Sequence, residues 1–144
     1  MGLVNSSLNF FLPMLPRNFI RPFAMRYVAG ENEGDALGIV HELNQLGFSA
    51  TLDILGEHSR SIEEAKMITE SYIRLFEVIA DSSLDCNISI KLTHLGLGYN
   101  DKLAEDNLFA LLETAEKTGN FLRIDMENTP FTDTTLSLYE KCKS

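Results

Sequence analysis

The chain has 144 residues, with 12 Lys and Arg against 21 Asp and Glu for a net charge of −9, and 44% of it is apolar. This is one domain's worth of chain with ordinary soluble proportions, long enough to bury about two thirds of its unfolded surface. The acidic balance, with no cluster of Lys and Arg, argues against nucleic acid as the main partner, because phosphate backbones need such clusters.

The two cysteines, Cys86 and Cys142, lie 56 positions apart. With no CxxC pair and no Cys/His cluster of metal-ligand spacing, they read as reduced thiols of a cytosolic protein, and no metal is expected. No apolar run approaches the roughly 18 residues that span a bilayer. Residues 8–16 (Leu-Asn-Phe-Phe-Leu-Pro-Met-Leu-Pro) are apolar but short and broken by prolines, without a basic leader or a clear cleavage site. They read as an N-terminal helix packed on the core, with a short docking helix or a surface-seeking patch as the other reading.

From residue 25 onward, strand and helix alternate. Residues 25–29 predict a short strand before Gly30. Asn32 then caps a helix on which Ala36, Ile39, Val40, Leu43 and Leu46 fall at helical spacing, ended by Gly47. Residues 49–55 predict the second strand, stopped by Gly56. Ser61 and Glu64 form the capping box of a long helix whose apolar positions include Ala65, Ile68, Tyr72, Leu75, Phe76 and Ile79. Residues 87–93 predict the third strand. Asn100 caps a helix carrying Ala104, Leu108, Leu111 and Ala115, and Gly119 ends it. Residues 121–126 predict the fourth strand, after which Thr132 or Asp133 caps a last helix with Leu136 and Tyr139.

Such alternation means an α/β fold of parallel strands with helical crossovers. The predicted strands start at Met25, Ser49, Asn87 and Phe121, a mean of 32 residues apart. Eight units of that size make the roughly 250 residues of a parallel (β/α)8 TIM-type barrel. The chain then supplies about the first four β/α units (residues 25–144) after an N-terminal helical extension (residues 1–24). A small open flavodoxin-like sheet is the alternative, although neither GxGxxG nor GxxxxGK with a following Ser or Thr succeeds any strand.

The strands carry polar residues that a merely structural sheet would not. Alternation places Thr51 with Asp53, Ser89 with Lys91 and Thr93, and Arg123 with Asp125 on one face of their strands, opposite apolar residues suited to outer helices. Asp53, Lys91 and Asp125 fall near the carboxyl ends, where barrels and open α/β sheets build their sites, and Glu57, Thr93, His94 and Glu127 lie just beyond. Lys91 between acids stays protonated, which suits a fixed cation for a substrate carboxylate and argues against a Schiff-base lysine. A buried Asp53–Lys91–Asp125 network that only fixes register is the structural alternative. His58 and His94 read as polar loop residues rather than ligands.

Four segments occur in order with matching loop lengths: Tyr27-Val28-Ala29-Gly30-Glu31, Thr51-Leu52-Asp53-Ile54-Leu55-Gly56-Glu57, Ile90-Lys91-Leu92-Thr93 and Arg123-Ile124-Asp125-Met126-Glu127. Together they resemble the first half of the monofunctional bacterial proline dehydrogenases. The resemblance covers roughly residues 25–144. It implies a distorted (β/α)8 barrel that holds FAD and oxidises L-proline to Δ1-pyrroline-5-carboxylate, with hydride passing to the flavin and electrons going on to a membrane quinone. By the same resemblance, Lys91 contacts the proline carboxylate and Asp125 sits near substrate and flavin as the catalytic residue. Met126 touches the flavin, while Glu57 pairs with an arginine of the last helix when the site is empty, with Asp53 behind it. The family's second half, which supplies most FAD contacts and an arginine pair on the carboxylate, has no counterpart in these residues.

The resemblance therefore implies an enzyme fragment with little or no activity alone. It would need the missing half of the barrel or would self-associate through its open edges, the strands starting at Met25 and Phe121. It implies a cytoplasmic location that allows peripheral contact with the inner face of the membrane. Two other classes stand beside it. A lysine-based barrel enzyme such as an aldolase would trap a substrate imine on Lys91. A non-catalytic half-barrel serving as a binding or dimerisation module would tolerate the loss of Lys91 or Asp125.

Overall fold

The computed structural model describes residues 28–30 and 32–143. Its elements are α1 (Glu33–Gln45), β1 (Ala50–Leu52), α2 (Ile62–Asp81), β2 (Cys86–Ile90), α3 (Asp101–Thr118), β3 (Leu122–Ile124), a 3-10 turn (Thr129–Phe131) and α4 (Thr132–Cys142). The three strands form one parallel sheet in the order β1-β2-β3, with Leu52 opposite Ile88 and Ile90 opposite Ile124. The predicted extension (residues 1–24) and Met25 to Tyr27 of the predicted first strand lie outside the described residues. Val28 and Ala29 lie inside them and are not in a strand, so the described sheet has three strands where four were expected.

The helices follow from their sequences. On α2, Ala65, Thr69, Tyr72, Phe76 and Ile79 recur at intervals of three and four, and all are buried. The Ser61 hydroxyl accepts from Glu64 N at 3.0 Å, as the capping box predicts. The Glu64 carboxylate reaches back to Arg60 N at 2.7 Å, one residue earlier than the motif expects. Asn100 caps α3 through Leu103 N, and Gly119 ends it in the left-handed region at φ 64°. Asn32 caps α1 by accepting from Asp35 N. The last helix departs from expectation: Thr132 is its first residue, and the preceding Phe131 makes no capping bond. The 3-10 turn, with Pro130 at its start, leads the chain into α4 instead.

Helices α2 and α3 pack on each other, and their buried stripes join Ile88, Ile90 and Leu92 in the core. The predicted apolar face of the central strand is buried, and so are Ser89 and Thr93 of its predicted polar face. At the opposite end of the sheet, the Asn44 side chain bonds Asp85 N and Asp85 O, which ties the end of α1 to the start of β2.

Neighbouring positions on α3 test this packing. Leu108 is fully buried, whereas Phe109 beside it is exposed. Leu108→Ala is expected to cost about 3 kcal/mol in urea unfolding. Phe109→Ala is expected to cost less than about 1 kcal/mol.

Candidate functional site

All three strands end short of their predicted limits, and side chains replace the ladder where they stop. The last rung between β2 and β3 is Asp125 N to Ile90 O at 2.9 Å. Beyond it, the Glu127 carboxylate takes the place of a strand carbonyl and accepts from Thr93 N at 3.0 Å. With no carbonyl partner to extend the ladder, the chain after Ile90 turns tightly. His94 N bonds Lys91 O, Leu97 N bonds Leu92 O, and Leu92 through Leu97 are buried. Residues 91–93, expected as strand, are therefore a turn, yet Lys91 and Thr93 still face the neighbouring strand ends.

Asp53 and Lys91 meet as an ion pair, with Lys91 Nζ 2.7 Å from Asp53 Oδ2. The other oxygen of Asp53 accepts from the Tyr72 hydroxyl at 3.1 Å, and that hydroxyl in turn accepts from Ile54 N at 3.2 Å. Burial raises the pKa of Tyr72, and the Asp53 charge raises it further, so the phenol stays a donor. In the sequence Tyr72 is one position of an apolar stripe. The available signal was its type, since a buried tyrosine hydroxyl needs a partner.

The bond to Asp53 raises the pKa of Lys91, burial opposes it, and the charges of Asp53, Asp125 and Glu127 add to the rise. Around neutral pH the raised lysine pKa therefore adds stability, and that contribution is lost as pH rises through the elevated value. Asp125 stands apart from the expected three-residue network: its carboxylate accepts from the Ser89 hydroxyl rather than from Lys91. Met126 is 56% exposed. Glu57 is exposed and has no ion-pair partner among the described residues.

The two histidines diverge. His58 is an exposed loop residue at φ 56°, its ring 5.8 Å from that of Phe131. His94, expected as a polar loop residue, is only 5% exposed, because the turn after Lys91 draws it inward. Its ring lies where a side chain on residue 56 would be: a Cβ on Gly56 would stand 2.6 Å from His94 Cε1. The sequence signal was Gly56, read only as a strand stop. His94 Nδ1 is buried without a hydrogen-bond partner, and burial lowers the pKa of the imidazole. Among the described residues no group of three or more His, Cys, Asp or Glu could hold a metal, and no helix is long and apolar enough to cross a membrane.

The lowered pKa of His94 has a consequence for stability. Below the ordinary value of 6.5, the unfolded chain takes up a proton that the folded chain refuses, so stability falls as pH drops through that range. Urea unfolding at about pH 7.5 and about 5.5 is expected to show lower stability at the acid end, with a smaller difference in His94→Gln. Equal pH dependence in both proteins would contradict the neutral, buried imidazole.

Known proteins resemble this chain in sequence and fold. A family model described as "Proline dehydrogenase" matches residues 36–144. Among curated proteins, the chain is 38% identical over 120 residues to proline dehydrogenase 1 of Bacillus subtilis subsp. natto, covering 83% of this chain and 40% of that relative. It is 34% identical over 131 residues to proline dehydrogenase 2 of Bacillus subtilis (strain 168), covering 90% and 43%. It is 31% identical over 129 residues to the proline dehydrogenase of Deinococcus radiodurans, covering 87% and 41%. The chain thus spans about two fifths of the length of these relatives. A crystal structure of proline utilization A (PutA) from Bdellovibrio bacteriovorus, inactivated by N-propargylglycine, superposes with a TM-score of 0.72 at 22% identity. It covers 80% of this chain and 14% of that one, and at that identity the likeness carries the fold alone. The family match over residues 36–144 shows that the chain belongs to the proline dehydrogenase family.

Proposed function

We propose that residues 25–144 form the first four β/α units of a barrel that holds FAD and oxidises L-proline to Δ1-pyrroline-5-carboxylate, with residues 1–24 as an extension. Family membership supports the reaction class, and the strand order β1-β2-β3 runs without reversal, as in a barrel wall. The observation that carries the reading is the state of Lys91. An ammonium has three N–H donors, and among the described residues the Asp53 carboxylate takes one of them. The surrounding acids hold the group cationic at the carboxyl ends of the strands. The remaining donors suit a substrate carboxylate.

Asp53 and Tyr72 fix the direction of Lys91. Asp125, held by Ser89, is the residue assigned to the substrate's reacting end as the catalytic group. Glu57, exposed on the loop after β1, is the gate that pairs with an arginine elsewhere in a complete site. Met126, next in sequence to Asp125 and 56% exposed, and Leu55, on the loop after β1 and 82% exposed, offer apolar surface of the kind that suits one face of a flavin ring. Met126 would hold that ring, and the flavin would supply the hydride acceptor. A quinone is the class of compound proposed to take the electrons onward, with contact at a membrane face.

The test measures L-proline affinity and the anaerobic bleaching of flavin absorbance by L-proline in the protein at its natural length. Lys91→Ala is expected to weaken L-proline binding about 10- to 100-fold, the range set by losing a charged hydrogen bond. Asp125→Ala is expected to slow bleaching. Binding and bleaching unchanged in both variants would overturn the reading in favour of a non-catalytic half-barrel.

A further inference from the structure

Thr93 has no exposed surface, and every polar atom it owns is bonded. Its amide donates to Glu127 Oε1 at 3.0 Å, and its hydroxyl donates to Glu127 Oε2. The same hydroxyl accepts from His58 N at 3.2 Å, and its carbonyl accepts from Ser59 N at 3.0 Å. The Ser59 hydroxyl closes the knot on His94 O at 2.5 Å. One buried side chain thus binds two segments that are remote from it in sequence, one before β2 and one after it.

The segments are those that carry the site. Glu57 immediately precedes His58, Asp125 and Met126 immediately precede Glu127, and Lys91 stands two residues before Thr93. Both Glu127 oxygens are engaged by Thr93, so this acid serves as a strut. His94, seated against Gly56, braces the same loop from its other side.

We propose that Thr93 is the positioning residue of this site, its hydroxyl setting where the Glu57 loop and the Asp125–Met126 segment stand relative to Lys91. The inference deepens the function proposed above and, as far as substrate is concerned, rests on it. Removing the hydroxyl leaves His58 N and one Glu127 oxygen without their partner, and bonds that share one group fail together.

Amide hydrogen exchange and L-proline titration calorimetry on the protein at its natural length, with Thr93→Val, Thr93→Ser and Glu127→Gln, test this. Thr93→Val is expected to speed exchange about tenfold or more at both 57–59 and 125–127, while β2 stays protected, and to weaken L-proline binding by a similar factor. Thr93→Ser, which keeps the hydroxyl, is expected to restore both. Glu127→Gln is expected to speed exchange at 57–59, a segment that makes no hydrogen bond to Glu127, and it carries the test if Thr93→Val fails to fold. Exchange altered at one segment only, or Thr93→Ser behaving as Thr93→Val, would overturn the inference. So would unchanged exchange at 57–59 in Glu127→Gln. Wild-type protein that never binds L-proline would sink the proposed function and leave the exchange result to decide the positioning role. Wild-type protein that binds L-proline as tightly as Thr93→Val does would sink the positioning role alone.

Discussion

A lysine ammonium at the mouth of a parallel sheet has to be held by acids from neighbouring strands, because a charge removed from water is costly unless paired. Lys91 meets that constraint through Asp53 at 2.7 Å, with the charges of Asp125 and Glu127 nearby. Much of the local structure serves this arrangement. Tyr72 on α2 is buried so that its hydroxyl can steady Asp53, and Ser89 holds Asp125. Both partners of the Lys91–Asp53 pair keep some exposure, so neither charge is fully removed from water.

The short strands follow from the same arrangement. Once Glu127 substitutes its carboxylate for a backbone carbonyl at Thr93 N, the β2–β3 ladder stops after Ile90, and the chain turns and buries Leu92 to Leu97. The strand ends are thus knotted by side chains. A polar surface is delivered at the carboxyl end of the sheet, while Ile88, Ile90 and Leu92 fill the core. The proline dehydrogenase match over residues 36–144 includes every residue of this knot.

Local features were legible in the sequence: the Ser61 and Asn100 caps, the α2 and α3 stripes, Gly119, and the alternation that separates Ser89 and Lys91 from Ile88 and Ile90. Each rests on spacing within a few residues. The features that escaped depend on partners more than thirty residues away or on burial. His94 looks like a loop residue until the turn after Lys91 draws it against Gly56. The end of β2 cannot be read from propensity, because Glu127 sets it from the loop after β3. The Asp53–Lys91 pairing followed from charge and position, but the register puts Ser89 opposite Arg123, so the bond from Ser89 to Asp125 runs diagonally and nothing in the sequence marks it.

The site depends on Lys91 remaining a cation among acids. Site-resolved NMR titration of the Lys91 Nζ environment measures this directly. The geometry predicts an ammonium that keeps its proton past the ordinary lysine value of 10.5. A midpoint at or below that value would contradict it.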